Sequence, residues 1–503
     1  MPFEPVFETI NISQRKGKLT DQIKVECRTD IPTEAVNKII NISAFPQIIR
    51  SETVAGQFKY GGKIAFFICY ENVEGEIKKC ECGAEFTGAV SNDAVTENTR
   101  ALTSAEAQKP EASLSGVKLS VSAYVDVCAV LYECVKYNAL SGGENIISKN
   151  TDVTYVRSFG IKESAYSVED EFEVGYKIGE VISHRAQAVI TSVQCGVGVI
   201  IVDGEVYLSA IFLQSGDKKD IIRENRTIPY RMEIECEDAM PAFGATARVS
   251  TKSFKTDINV DEEKGVSVIN AEAMLVFSGE AFSEETASVA EDAFSLSEEL
   301  KLQKQRVESY KDCDVRSCSA RVNGRAATDE LPVGANLFAA CGEKAEIAEC
   351  VKNDDSIKIT GTLYLTALFC DGEGKIFSRS AETPFETTVE CVIPQSAEIE
   401  VTVVSEHAQC RIISLSEIET EAELFFTVYP CEKNHITCIS GIEASGEKVE
   451  NDCAISVYIP VKGEELWTLS KRLNISPDNL VATNKELQFP LSGEERIVVY
   501  RGK

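Results

Sequence analysis

Histidine, tryptophan and methionine are scarce in this chain: 503 residues hold 3 His, 1 Trp and 4 Met. His184, His407 and His435 stand apart, in no spacing that suits a general base or a metal, and isolated histidines of this kind read as surface or satisfied core residues. No glycine-rich phosphate loop is present. Gly372-Glu-Gly-Lys375 lacks both the upstream glycine and the hydroxyl residue after the lysine, so it reads as a hairpin turn. No Gly-x-Ser-x-Gly elbow occurs, which removes the usual serine-hydrolase signature. No apolar run reaches the length of a membrane span; Val197 to Val202 is at most a buried strand. Sustained amphipathic helix is missing until the last fifty or so residues. Basic residues are outnumbered, 51 Lys and Arg against 80 Asp and Glu, for a net charge of −29. That charge argues against nucleic acid and anionic membrane as partners and, being spread along the chain, describes a self-repelling solvated surface.

Hydrophobic residues make up 44% of the chain, enough for real cores, and the length suggests three or four domains. The first residues, Met1-Pro-Phe-Glu-Pro-Val-Phe-Glu8, carry neither the basic start nor the apolar core of an export signal, so a cytoplasmic chain is expected. In that compartment the 18 cysteines read as free thiols in cores, as the apolar surroundings of Cys69, Cys128, Cys195, Cys370 and Cys391 suggest. Cys80 and Cys82 fall on one face of a strand, and Cys313 and Cys318 lie close together. Neither pair has the second pair of ligands that structural zinc needs. No metal or cofactor is expected, and no catalytic constellation is visible.

Three segments align. Gly62-Lys-Ile-Ala-Phe-Phe-Ile-Cys-Tyr70, Gly204-Glu-Val-Tyr-Leu-Ser-Ala-Ile-Phe212 and Gly361-Thr-Leu-Tyr-Leu-Thr-Ala-Leu-Phe369 each start with glycine and continue as a strand ending in an aromatic. Each leads through a polar turn to a further strand pair, at 77–90, 221–234 and 376–389, with an aromatic at a common offset: Phe86, Tyr230 and Phe385. Alternating strands follow from Val117, Val266 and Ile418. Two openings also run parallel, Ala165-Tyr-Ser-Val and Ala293-Phe-Ser-Leu. Period-two alternation with frequent turn residues predicts a mainly β chain of tandem antiparallel, sandwich-like repeats. The repeats are expected at 1–150, 151–288 and 289–440, with a hinge at Ser141-Gly-Gly-Glu144, a linker in the first half of Glu284–Lys304, and an acidic tether at 441–452.

Residues 453–503 read as a small α+β module. Ile455, Val457, Ile459 and Val461 alternate as a strand; Leu466, Leu469, Ser470 and Leu473 share a helical face, with Glu464 and Glu465 in the first turn. Ser476 and Pro477 open a second helix whose buried side is Leu480 and Val481, and 496–500 returns as a strand. Trp467 reads as packing between helix and sheet.

That order and those residues resemble the LysM family, whose pattern is matched by Tyr458, Pro460-Val461, Gly463-Glu-Glu-Leu-Trp467, Leu469-Ser470, Asn484 and Ser492-Gly493. The resemblance implies a βααβ fold and a binding groove built from Gly463, Glu464, Glu465, Leu466, Trp467, Asn484 and Leu487. Family members carry Asp-Thr where this chain has Glu464-Glu465, and two carboxylates there favour a protein partner over N-acetylglucosamine.

The three repeats, with Ile228-Pro-Tyr230 and Thr383-Pro-Phe385 before a strand, resemble the SPOCS family of spore-coat proteins from endospore-forming Firmicutes; the first copy is degenerate, with Ala84-Glu-Phe86 at that place. Together the two resemblances imply a non-enzymatic coat-morphogenetic scaffold, sited in the mother cell at the forespore surface. It would bind a coat-basement ATPase through the LysM module and other coat proteins through the repeats. Peptidoglycan is the rival ligand.

Overall fold

The computed structural model describes residues 4–30, 36–115, 118–216, 220–371, 375–448 and 454–500. Among them lie 22 strands and 2 short helices, and every strand pairing is antiparallel. One plan occurs three times. The first unit contains β1 (Glu4–Asp30), β2 (Val36–Val54), β3 (Gln57–Asn72), β4 (Ile77–Ser91), β5 (Arg100–Ala107), β6 (Glu111–Ser115) and β7 (Lys118–Glu144). The second contains β8 (Ile147–Val174), β9 (Ile178–Cys195), β10 (Val199–Gln214), β11 (Ile221–Glu235), β12 (Gly244–Asp261) and β13 (Val266–Phe294). The third contains β14 (Glu298–Asp312), β15 (Arg316–Ala327), β16 (Asn336–Lys352), β17 (Ser356–Cys370), β18 (Ile376–Glu390), β19 (Ala397–Ser414) and β20 (Glu417–Glu447). In each unit a meander, β2-β3-β4, β9-β10-β11 or β16-β17-β18, faces a sheet centred on the long strand β7, β13 or β20. In the third unit β14 and β15 together line β20 where one long strand serves the others.

The glycine–aromatic motif has a direct cause. Gly62 pairs with Phe86, Gly204 with Tyr230 and Gly361 with Phe385, each the registered partner across the meander. On the other side of each glycine the neighbouring strand bulges, skipping Ile49, Thr191 or Ala348. The ring covers the bare glycine while the bulged backbone closes in, so a Cβ at Gly62 would stand 2.5 Å from Phe86 Cζ and one at Gly361 2.6 Å from Phe385 Cζ. The segments after each motif are single strands of 15 residues, not strand pairs, because each lies flat across its glycine strand for its whole length.

Each unit has its own core, around Phe66, Phe277 and Phe426 respectively. Three further cores are shared. One joins the meanders, with Ile40, Phe67 and Cys69 of the first unit, Ile182 and Phe212 of the second, and Cys341 and Leu368 of the third. Beside it His184 sits among Phe67, Phe254 and Phe45 with ring centroids 4.7, 5.3 and 6.2 Å away, and burial pushes its pKa down to about 4. The other two bring the long ribbons β1–β7, β8–β13 and β14–β20 together as a three-sided stalk. Ile10, Ile12 and Ala139 there meet Ala287, Val289, Val307, Ile436 and Cys438, and Leu140, Ala290, Ala293 and Ile439 follow toward the tip.

Polar junctions tie the units as well. Glu400 of β19 accepts from Arg15 of β1 at 3.1 Å and Arg248 of β12 at 2.7 Å. Arg223 of β11 reaches Glu343 of β16 at 2.6 Å and the carbonyls of Ala340 and Ala408, and Arg185 of β9 donates to the Glu343 carbonyl. Nearby, Glu406 pairs with His407 at 3.0 Å, yet burial and then Glu423 raise its pKa to about 7. A raised carboxyl opposes folding once ionised, so that cost grows as pH climbs from 4.5 through 7. Glu406→Gln is therefore expected to gain about 1–2 kcal/mol in urea unfolding at pH 8 and nothing at pH 4. An unchanged difference between the two pH values would refute this.

The ends of the units lie elsewhere than the sequence suggests. Positions 150/151, 288/289 and 440/441 fall inside β8, β13 and β20. The expected hinge is a bulge at Ser141 within β7, its hydroxyl donating to Val6 O at 3.2 Å. The first half of Glu284–Lys304 is not linker but the end of β13, whose Ala287 and Val289 are buried in the stalk. Ala165-Tyr-Ser-Val lies in the middle of β8, whereas Ala293-Phe-Ser-Leu leaves β13 at a turn, so those openings are not equivalent. The tether at 441–452 is strand as far as Glu447; residues 449–452, like 372–374 of the expected hairpin and Val117, lie outside the described residues.

Candidate functional site

The C-terminal segment forms β21 (Ile455–Tyr458), α1 (Leu466–Leu473), α2 (Pro477–Thr483) and β22 (Ile497–Tyr500), with β21 antiparallel to β22. Its core is Leu469, Ile475, Leu480, Leu491, Ile497 and Val499. Gly463 takes a positive φ of 86° in the turn before α1, and its N–H donates to Leu491 O at 2.7 Å. Ser476 caps α2 by accepting from Asn479 N at 3.3 Å, with Pro477 at the first helical position, as the sequence predicts.

The seven expected groove residues do not form one surface. Glu464 is buried: it accepts from Val461 N at 3.1 Å and pairs with Arg472, whose guanidinium lies 4.7 Å from the Tyr458 ring. Asn484 closes α2 by donating to Leu480 O at 2.9 Å and then bonds β22, giving to Val498 O and accepting from Val498 N, each at 2.7 Å. Leu466 and Leu487 pack against the module core. These four are committed to holding the module together. Gly463 and Glu465 remain exposed on the turn. Neither acid sits in the first helical turn, because α1 begins only at Leu466, with Glu465 at its N-cap.

Trp467 is not in the module core. Its ring stands edge-on to Phe294 with centroids 5.3 Å apart, and its Nε1 donates to Asp292 Oδ2 at 2.8 Å. Lys471 Nζ bonds both oxygens of Asp292, at 2.7 and 2.8 Å. Burial acts to raise the Asp292 pKa, but Lys471 and Trp467 outweigh it and hold the carboxyl below its usual range. Asn474 gives its amide to Leu296 O at 2.7 Å and accepts from Lys448 at 2.8 Å. The module is thus seated on the tip of the stalk.

The sequence reading missed Lys471, Asn474, Asp292 and Phe294. A signal was present: Trp467, Lys471 and Asn474 recur at i, i+4 and i+7, a second stripe beside the core stripe. It also read strand across 455–461, whereas β21 ends at Tyr458. Ile455, Val457, Ile459 and Val461 are 61 to 69% exposed, while Tyr458 and Pro460 turn inward. Across the sheet Val498 and Tyr500, also exposed, pair with Val457 and Ile455. Val481 likewise faces solvent and Leu480 alone is buried from α2.

Among the described residues, no three or more His, Cys, Asp or Glu side chains are placed to hold a metal ion, and no helix is long and apolar enough to cross a membrane. Comparison with protein-family models, with curated proteins and with solved structures finds no match to the chain.

Proposed function

We propose that the chain is a non-enzymatic scaffold of the spore coat, lying on the mother-cell side at the forespore surface. In this reading the C-terminal unit is a LysM-type βααβ module that binds a coat-basement ATPase. The three SPOCS-like units offer a broad acidic surface on which weak contacts with other coat proteins add up. The observation that carries the reading is the exposed apolar face formed by Ile455, Val457, Val498 and Tyr500 on so small a module. An apolar, partly aromatic patch suits a protein partner better than a sugar. Glu464 and Asn484, groove positions in the resemblance, are consumed by the fold, which weakens the case for peptidoglycan.

The test is the affinity of the full chain for the purified coat-basement ATPase. Val457→Glu should weaken binding roughly tenfold or more, the loss of one central contact, while its melting temperature stays near that of the parent. Insoluble peptidoglycan serves as competitor. Peptidoglycan sedimentation as tight as ATPase binding, or an unaffected Val457→Glu variant, would reject the reading.

A further inference from the structure

The contact between α1 and the stalk tip has the chemistry of a peptide complex. Trp467 and Lys471 together receive one carboxylate, that of Asp292. Two residues on, the Phe294 ring meets the indole edge to face. Two further on, the Leu296 carbonyl accepts from Asn474. A carboxylate and an aromatic ring at the end of β13, and a backbone carbonyl in the turn that follows, meet Trp467 and Lys471, one helical turn apart on α1, and Asn474, the C-cap of that helix. None of those three side chains belongs to the module core. The module therefore keeps this stripe whether or not the segment lies on it.

We infer that the Trp467 stripe of α1 is a recognition site for an acidic–aromatic peptide segment. Residues 292–296 of the same chain occupy it at rest, and a segment of like chemistry on a partner protein displaces them. This goes beyond the proposed function and does not rest on it, since the apolar face of β21 and β22 is a separate surface. The third unit, residues 298–448, and a short connection link the occupant to its site, and the pairing of Glu298 with Glu447 brings the two ends of that unit together. An occupant held so closely acts at an effective concentration of order millimolar, so free peptide at micromolar concentration does not compete with it. Removal of the occupant uncovers the site.

Trp467 is the chain's only tryptophan, so its emission reports this contact alone in the intact protein. The probe is a synthetic peptide of residues 290–298, Ala-Glu-Asp-Ala-Phe-Ser-Leu-Ser-Glu, with a control in which its Asp and Phe are replaced by Asn and Ala. In the parent chain, micromolar peptide should leave the emission unchanged. In Asp292→Asn the emission should shift to the red as the indole meets water, and the peptide, but not the control, should reverse the shift saturably. Lys471→Met removes the cation from the module's side of the contact and leaves the stalk unchanged; it too should shift to the red, and the peptide should fail to restore it. Circular dichroism checks that each variant is folded. Unshifted emission in both variants, or a shift in Asp292→Asn that peptide does not reverse, would overturn the inference.

Discussion

Glu400→Ala is expected to destabilise the chain by about 3–5 kcal/mol, the usual consequence of leaving a buried charge without its partner. Glu400 comes from the third unit, Arg15 from the first and Arg248 from the second, and their side chains are only 17, 18 and 24% exposed. Lys18 approaches the same carboxylate at 3.8 Å, and the Arg248 guanidinium lies 4.3 Å from the Tyr429 ring. Removal of the carboxylate leaves this cluster of cations facing one another in a shielded junction. Burial alone would raise the Glu400 pKa, but Arg248, Arg15 and Lys18 outweigh it and hold the group below its usual 4.5. Its contribution is therefore complete above pH 4.5 and lost as pH falls through the lower folded value. Urea unfolding of the parent and of Glu400→Ala at pH 7 should differ by the full amount, and the gap should narrow below pH 4. The control is Glu26→Ala, whose ion pair with Arg28 is exposed and screened by solvent, so its loss should leave the unfolding midpoint almost unchanged. Equal effects from the two substitutions would show that the junction does not hold the units together.

Gly361→Ala should cost about 1–3 kcal/mol or more, although it adds a single methyl group. That methyl would overlap the Glu346 carbonyl and stand 2.6 Å from Phe385 Cζ, and the carbonyl is backbone held in the β16–β17 ladder. Gly446→Ala, near the end of β20, meets nothing within 4 Å and should be neutral within about 0.5 kcal/mol. Thermal melts of the two variants make the comparison. Similar costs at both positions would mean that the glycine–aromatic pairing is incidental to stability.

Much of the β architecture was legible because its determinants are local. Period-two alternation marked β3, β10 and β17, and the shared offset from glycine to aromatic pointed to what proves to be direct cross-strand pairing. Ser476 and Pro477 announced α2 through capping chemistry that reaches no further than three residues. What was not legible is relational. Alternation at 455–461 marked β21 but overran its end at Tyr458 and did not give its inner face, which is decided by Ile497 and Val499 more than thirty residues away. Glu284 to Phe294 looks like linker because its residues are small and acidic; only the other two ribbons supply the walls that bury Ala287, Val289 and Ala290. The cations that close the junctions, Arg15, Arg223 and Arg248, carry no sequence signal, since each finds its partner in another unit. Trp467 was assigned to its own module because a lone indole is usually core, and its true partner, Phe294, lies 173 positions earlier.

The stalk also has a mechanical consequence. Glu4 pairs with Glu144, Ile147 with Phe294 and Glu298 with Glu447, so the beginning of each unit lies beside its own end. The joints between units and the exit to the C-terminal module are all at one tip. A load applied between the N-terminus and a tethered module therefore enters the ribbons at their ends, pulling β1 away from β7 and β20 away from β14. Ladder hydrogen bonds lie across the strands, so such a load meets them one rung at a time, as in opening a zipper, rather than all at once in shear. The meanders at the far end stay outside the line of force. Under tension between those points, the stalk would yield by a few rungs and close again, with the shared meander core left intact.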